Sequence, residues 1–133
     1  MPDKTVIADL ATDVLEFLAE QIDSVPHLEA LLLLYKPTAE QWTVERTAAR
    51  LYVSADTADR ILRDLERRKL VSKSLDDQTT VYAYDPSWDE TGQLMERVAM
   101  TYRSHLTAVS AFIHSKASQS VLEFARAFKF KKD

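Results

Sequence analysis

Apolar residues recur at helical spacing over most of the chain. From Asp9 to Ile22 they fall every three or four positions, with acidic residues between them, which predicts an amphipathic helix. The following stretch, from Leu28 to Tyr35, is apolar on most sides, as is typical of a central helix that several neighbours bury. Pro26 stands near its start, where a first helical turn tolerates proline. Residues 1–40 therefore predict two consecutive helices.

The stretch from Trp42 to Tyr84 predicts two short helices followed by a β-hairpin. Thr43 can cap the first helix, and Ser54 can cap the second. Apolar residues at helical spacing give each helix one inner face. These residues are Val44, Thr47, Ala48 and Leu51 in the first helix, and Ala58, Ile61, Leu62 and Leu65 in the second. Those expected to point outward from the second helix are Thr57, Arg60, Arg63, Asp64 and Arg67.

Alternating residues after the second helix favour a two-stranded hairpin. The first strand is expected from Leu70 to Leu75, and the second returns from Thr79 to Tyr84. Asp76, Asp77 and Gln78 between them suit a turn. The short segment 41–43 is expected to be extended, either as a third strand beside the hairpin or with Trp42 covering the core.

Residues 85–133 predict a long helix and a short final one. Ser87 or Asp89 can cap the long helix, whose apolar stripe continues to about Ser115. This stripe either joins two copies of the chain or folds back onto the N-terminal helices, and the two roles are compatible. Ser118 or Ser120 opens the last helix, and the basic tail 129–132 can contact phosphate, an acidic partner or only solvent.

Composition is typical of a single soluble domain over residues 1–133, with 46% hydrophobic and 29% charged residues. The chain has no cysteine, which excludes disulfides and cysteine zinc sites. No signal peptide is apparent at Met1–Lys4, and the apolar run 31–35 is too short to span a bilayer. These features predict a cytoplasmic protein with no membrane association.

Enzymatic chemistry is not expected from this chain. Its one glycine, Gly92, excludes the glycine-rich loops that bind nucleotides. Its three histidines, His27, His105 and His114, lie on different predicted elements or far apart on one, and none stands three or four residues from another as in a metal-binding pair. No carboxylate pair stands in an apolar setting. The sequence therefore predicts neither a catalytic site, a metal site nor a cofactor.

The central stretch resembles the winged helix-turn-helix superfamily, and within it the MarR-like bacterial transcriptional regulators. The matching segments are Thr47–Leu51, the turn Tyr52–Ser54, and Leu65–Val71 leading into the hairpin, or wing. Such families often have glycine at the positions of Tyr52 and Lys69, where the backbone turns sharply. The resemblance implies a mainly α fold with a small β-wing, extra N-terminal helices and a long C-terminal helix. It also implies a dimer formed by the terminal helices.

This fold implies double-stranded DNA as the partner, because the second helix of a helix-turn-helix reads the major groove with its N-terminal half. Thr57, Arg60 and Arg63 are the expected base readers. The residues expected to contact phosphate are Arg46, Arg50, Arg67 and Lys73. Asp56 and Asp59 stand four residues before Arg60 and Arg63, so each acid can pair with one arginine.

The charge distribution leaves a second function open, in which the winged helix binds a regulatory or signalling protein instead of DNA. Residues 1–40 contain eight acids and two bases, for a net charge of −6, while residues 41–84 contain seven acids and eight bases, for +1. The expected wing tip, Asp76–Asp77, is acidic and repels phosphate. Both an acidic tip and paired charges on the second helix suit a basic protein surface.

Overall fold

A computed structural model describes residues 10–38 and 40–115 of the chain. The helices and the hairpin expected between residues 9 and 84 are present. The helices are α1 (Thr12–Gln21), α2 (Val25–Tyr35), α3 (Val44–Leu51), α4 (Ala55–Arg67), α5 (Gln93–Ser104) and α6 (Leu106–His114). The strands are β1 (Val71–Asp76) and β2 (Thr79–Tyr84), and a one-turn 3₁₀ helix covers Pro86–Trp88. The fold is mainly α with a two-stranded wing.

The chain divides into two compact units, one of residues 1–25 with 93–133 and one of residues 26–92. In the described part of the first unit, α1 packs against α5, and α5 against α6. The Asp13 carboxylate accepts a hydrogen bond from the Arg97 guanidinium, which links α1 to α5. Residues with little or no exposure form its core: Val14, Phe17, Leu18, Met95, Val98, Val109 and Phe112. A single domain over residues 1–133 stays a prediction.

The second unit contains the helix-turn-helix and the wing. Its largest fully buried apolar side chains come from α2, from α4 and from the residues where β1 begins. They are Leu28, Leu31, Leu62, Leu65, Leu70 and Val71. The inner face predicted for α4 is confirmed, since Ala58, Ile61, Leu62 and Leu65 are all buried. Burial of this face fixes which side of α4 points to solvent.

The wing is an antiparallel hairpin whose register runs from Val71 opposite Tyr84 to Asp76 opposite Thr79. Asp77 and Gln78 connect the strands with φ angles of 53° and 68°. Positive φ at both central residues suits a two-residue hairpin, because the turn then matches the twist of the strands. The Tyr82 amide donates to the Trp42 carbonyl over 2.8 Å, so Trp42 pairs with the hairpin and is also buried, at 4% exposure.

Both helices of the helix-turn-helix end at a left-handed residue that is not glycine. Tyr52 has φ 59° and Lys69 has φ 64°. The following amide of each turn closes the helix end, from Val53 to the Ala48 carbonyl over 3.1 Å and from Leu70 to the Leu65 carbonyl over 3.0 Å. This pattern satisfies carbonyls that the helix leaves free. A bulky and a charged residue thus adopt a left-handed conformation that favours glycine.

Replacing Tyr52 with glycine is expected to increase the free energy of unfolding by about 0.5–1 kcal/mol. A residue with a Cβ costs about 1–2 kcal/mol in the left-handed conformation, and glycine removes this cost. The larger backbone entropy of glycine in the unfolded chain cancels part of the benefit. The Tyr52 side chain is 94% exposed, so its removal costs little burial. Urea unfolding measures the change. The control Ala49→Gly, at an exposed helical position of α3, should lower stability by about 1 kcal/mol. A loss of stability in Tyr52→Gly would contradict this account.

The long helix predicted to about Ser115 is divided into α5 and α6. His105 lies between them with φ −132° and ψ 49°, outside the helical range. The His105 amide still donates to the Thr101 carbonyl over 2.8 Å, and the Val109 amide to the His105 carbonyl over 2.9 Å. The helix is therefore interrupted at His105 with few lost hydrogen bonds. Leu106 of the predicted stripe, the first residue of α6, is 53% exposed.

The start of this helix also differs from the prediction. Neither Ser87 nor Asp89 caps α5, which begins at Gln93. Instead, the Asp85 carboxylate accepts from the Ser87 amide over 2.9 Å and caps the 3₁₀ turn. The final helix predicted from Ser118 or Ser120 and the basic tail lie outside the described residues. Within the described ranges, no helix combines the length and apolar content that a membrane crossing requires.

Candidate nucleic-acid interface

Side-chain caps set the beginnings of both helices of the helix-turn-helix. The Thr43 hydroxyl accepts from the Arg46 amide over 3.1 Å, and the Ser54 hydroxyl accepts from the Thr57 amide over 3.1 Å. Thr47 is fully buried, and its hydroxyl donates to the Thr43 carbonyl over 2.8 Å. Both predicted caps are therefore confirmed. They fix where α4 begins, and hence which residues occupy its N-terminal half.

Thr57, an expected base reader, also takes part in the cap of α4. Its side chain is half-buried, and its hydroxyl lies 2.9 Å from the Ser54 hydroxyl. A hydroxyl that accepts one hydrogen bond can still donate another. The Thr57 methyl and one donor direction therefore remain for a ligand.

Arg60 and Arg63 differ in their neighbours although both are exposed. The Arg63 Nε lies 3.0 Å from an Asp59 carboxylate oxygen, as the spacing predicts. The corresponding Asp56–Arg60 pair is not formed, and Arg60 makes no ion pair within residues 10–38 and 40–115. Arg60 thus offers an uncompensated cation on the outer face of α4.

The arginines of α3 contact neighbouring side chains. Arg46 pairs with Glu40 over 2.9 Å, and both side chains are nearly half exposed. The Arg50 guanidinium carbon lies 5.7 Å from the centre of the Trp42 ring, which is a cation–π geometry. Exposed contacts of this kind contribute about 0.2–1 kcal/mol. Both arginines can exchange them for a phosphate at small cost.

A polar cleft of about 410 Å³ separates α4 from the wing. Arg63 and Asp59 line it from α4, and Lys73, Thr80 and Tyr82 line it from the wing. Burial raises the pKa of Tyr82, and the charge of Asp59 adds to this shift, so its hydroxyl stays protonated at neutral pH. The cleft therefore brings two predicted DNA contacts, Arg63 and Lys73, to one place.

The wing tip is acidic and exposed, as the sequence predicts. Asp76 and Asp77 are both exposed, and the Gln41 amide donates to the Asp76 carboxylate. Leu75 beside them is 75% exposed. Lys73 is the cation of the described wing, and it lines the cleft between the wing and α4.

Asp64 does not lie where the sequence pattern predicts it. The pattern places it on the outward face of α4, but its side chain is only 19% exposed and lies 2.8 Å from the buried His27 ring of α2. Its other oxygen accepts from the Arg67 guanidinium. Asp64 follows the buried Ile61 by three residues, a spacing that places a side chain at the edge of the inner face. This spacing is the feature of the sequence that indicates a partly buried Asp64.

Asp64 is expected to make the stability of the second unit depend on pH. Burial by itself raises the pKa of Asp64, but the hydrogen bonds and charges of His27 and Arg67 outweigh it, and the pKa lies below its usual value of 3.8. A lowered pKa stabilises the fold above 3.8, and this contribution disappears as the pH falls through the folded-state value. Asp64→Asn should lower the free energy of unfolding at pH 7 by about 1–3 kcal/mol, because the amide keeps one acceptor oxygen for two donors and removes the charge that strengthens both hydrogen bonds.

Urea unfolding of both proteins between pH 7 and pH 2 tests this expectation. The difference between wild type and Asp64→Asn should shrink below pH 3.8. Asp56→Asn is the matched control, since it removes the same charge at an exposed position of the same helix. It should change stability by less than about 0.5 kcal/mol. A difference that stays constant down to pH 2 would contradict the role assigned to the Asp64 charge.

Comparisons with known proteins identify structures that share this fold. No family model and no curated protein sequence matches the chain. A MarR family protein from Bacillus stearothermophilus has a similar structure, with 19% identity, a TM-score of 0.52, and coverage of 97% of this chain and 86% of that one. MepR of Staphylococcus aureus, a transcription regulator of the efflux pump MepA, is similar with 18% identity, a TM-score of 0.52, and coverage of 97% and 93%. The chain has the fold of these MarR-type regulators.

A further similar structure is the complex of Staphylococcus aureus MepR with DNA, at 16% identity and a TM-score of 0.54, with coverage of 95% of this chain and 94% of that one. Identities in this range show the fold alone. In the MarR-type fold, α3 and α4 are the helix-turn-helix, and β1–β2 is the wing. The roles of the seven predicted DNA contacts remain predictions.

Proposed function

We propose that the protein is a dimeric transcriptional regulator that binds double-stranded DNA with α4 in the major groove. The exposed Arg60, in the half of α4 that enters the groove and without an ion pair in the described part of the chain, is the observation that carries this proposal. An arginine there can contact a guanine edge with two hydrogen bonds. The similar MepR structure determined with DNA supports the same use of the fold.

The other predicted DNA contacts around α4 include Arg63, a predicted base reader, and Arg46 and Arg67, predicted phosphate contacts. Arg46, Arg63 and Arg67 each have a carboxylate partner, and their side chains are 44%, 70% and 69% exposed. Exposed pairs are worth about 0.2–1 kcal/mol, so a DNA phosphate can replace or join the carboxylate. Each such exchange releases counterions from DNA. Binding should therefore be strongly weakened by salt.

A homodimer is part of this proposal. Met100 of α5 and Leu106 of α6 are 55% and 53% exposed, so both side chains are accessible to a second copy. These helices belong to the terminal segments that join the copies in MarR-like proteins. A dimer would present two copies of α4 to two half-sites of an operator.

Fluorescence anisotropy with duplex promoter fragments of the source organism, across a salt series, tests DNA binding. Wild type should bind with submicromolar affinity at low salt, and the affinity should fall steeply as salt rises. Arg60→Ala with Arg63→Ala should abolish this binding. Lys36→Ala with Arg103→Ala removes the same charge at exposed positions outside α3, α4 and the wing and should retain it. Equal losses in both variants, or no binding by wild type at low salt, would refute the proposal.

The acidic wing tip favours a second candidate, a winged-helix module that binds a basic protein surface. Leu75, Asp76 and Asp77 together expose an apolar and acidic patch. Changing Asp56, Asp59, Asp76 and Asp77 to asparagine separates the candidates. The variant should bind duplex DNA more tightly if DNA is the target, because phosphate repulsion falls. Unchanged or weaker duplex binding would favour the protein partner.

A further inference from the structure

Two arginine–aspartate pairs on α4 are held differently. In the Asp59–Arg63 pair, the Asp59 side chain is 40% exposed, and no second hydrogen bond to its carboxylate is present in the described part of the chain. In the Asp64–Arg67 pair, the Asp64 side chain is only 19% exposed, and its two oxygens have different partners. Asp64 is therefore fixed from two sides, whereas Asp59 is free to follow its arginine.

His27 is the second side chain that contacts the Asp64 carboxylate. It stands 37 residues away, in the first turn of α2, and its Nε2 lies 2.8 Å from the Asp64 Oδ2. His27 is 8% exposed, so its ring is fixed by the packing of α2. A buried partner of this kind restricts the rotamer of Asp64. The Asp64 Oδ1, which accepts from Arg67, thus has a defined place on the surface.

Arg67 projects from this fixed point into solvent. Its side chain is 69% exposed, and within the described residues one guanidinium nitrogen, Nη2, is hydrogen-bonded. A guanidinium has five N–H donors in a rigid fork. Asp64 therefore orients the group from the protein side and leaves the outer donors free.

We propose that Asp64, anchored by His27, is a positioning residue that places the Arg67 guanidinium for a backbone phosphate of the DNA at the C-terminal end of α4. This inference rests on the proposed function. An arginine held in its binding geometry loses less side-chain entropy when it meets the phosphate, so the contact is stronger than one made by a free arginine. Asp64 thus increases DNA affinity although its own charge repels phosphate.

A double-mutant cycle on duplex affinity tests the assignment, with folding of each variant checked by circular dichroism. Arg67→Gln should weaken binding by about three- to tenfold and reduce the salt slope by about one counterion. Asp64→Asn should cause a similar loss in the wild-type background. In the Arg67→Gln background, the same change should have no further effect, because the group it positions is gone.

His27 variants and a spectroscopic readout provide the second arm. His27→Leu removes the donor to Asp64 and should reproduce part of the affinity loss, whereas His27→Gln retains an N–H near the same place and should restore binding. Nuclear magnetic resonance of the Arg67 Nε–H group in the free protein should show an ordered side chain in wild type. The same group should be mobile in Asp64→Asn, a change that a merely structural role of Asp64 would not produce.

Four outcomes would overturn the proposal. Tighter binding by Asp64→Asn would make Asp64 a competitor of phosphate. An equal loss from Asp64→Asn with and without Arg67 would make it a structural residue only. Unchanged affinity in Arg67→Gln, while Arg60→Ala with Arg63→Ala still abolishes binding, would overturn this inference and leave the proposed function intact. Absence of duplex binding by the wild type would overturn both.

Discussion

Arg60→Ala is expected to weaken duplex binding by roughly 10- to 100-fold, which corresponds to loss of one two-hydrogen-bond contact to a base at about 1–3 kcal/mol. Arg60 is exposed and has no ion pair in the described part of the chain, so no internal contact offsets its interaction with DNA. Anisotropy titrations at fixed salt measure the loss. Because the side chain lies on the surface, the free energy of unfolding should change by less than about 0.5 kcal/mol.

Two companion variants make this expectation specific. Arg60→Lys retains the charge but not the planar fork, so it should recover the salt-dependent part of binding and not the preference for guanine. Asp59→Ala combined with Arg63→Ala removes a complete ion pair and leaves the net charge unchanged. This pair should cost only a few-fold in affinity. An Arg60→Ala loss no larger than that of the pair would contradict the leading role of Arg60.

Leu62→Ala should lower the free energy of unfolding by about 2–5 kcal/mol, through lost burial and the cavity that remains. Leu62 is fully buried on the inner face of α4. Leu75→Ala deletes the same atoms from a side chain that is 75% exposed on the wing. It should change stability by less than about 0.5 kcal/mol. Similar losses in the two variants, measured by urea unfolding, would contradict the assigned core.

These two predictions separate two ways of losing DNA binding. A stability of about 5–15 kcal/mol is usual for a domain, so Leu62→Ala removes a large fraction of it. Binding should then be lost with folding and return when the temperature is lowered. Arg60→Ala should lose binding at every temperature at which the protein is folded. Circular dichroism beside each titration distinguishes the two.

Short-range physics explains what could be predicted around α4. Thr43 and Ser54 cap their helices because a hydroxyl before a helix reaches amides two or three residues ahead. The Asp59–Arg63 pair follows from i,i+4 spacing on one helix. Even the left-handed positions of Tyr52 and Lys69 were indicated, through resemblance to families that have glycine there. Each of these features depends on residues close to one another in the chain.

The break between α5 and α6 at His105 is not predicted by features close together in the chain. No glycine or proline marks it, and the apolar stripe continues through it. Local hydrogen bonds on both sides of His105 are retained, so the local preference between one helix and two is small. The packing of α5 and α6 within their unit then selects two helices instead of one. The spacing of apolar residues is the same in both cases, so it does not predict this choice.

The sequence by itself determined the order of helices and strands from residue 10 to residue 84, the inner face of α4 and the acidic wing tip. Local propensity and periodicity act within a few residues, and they were sufficient for these features. Only the tertiary structure decided that Asp64 turns inward to His27, 37 residues away, and that Arg63 forms an ion pair while Arg60 has none among residues 10–38 and 40–115. Contacts between distant residues depend on how buried faces pack, since packing selects one rotamer among several that the chain allows locally.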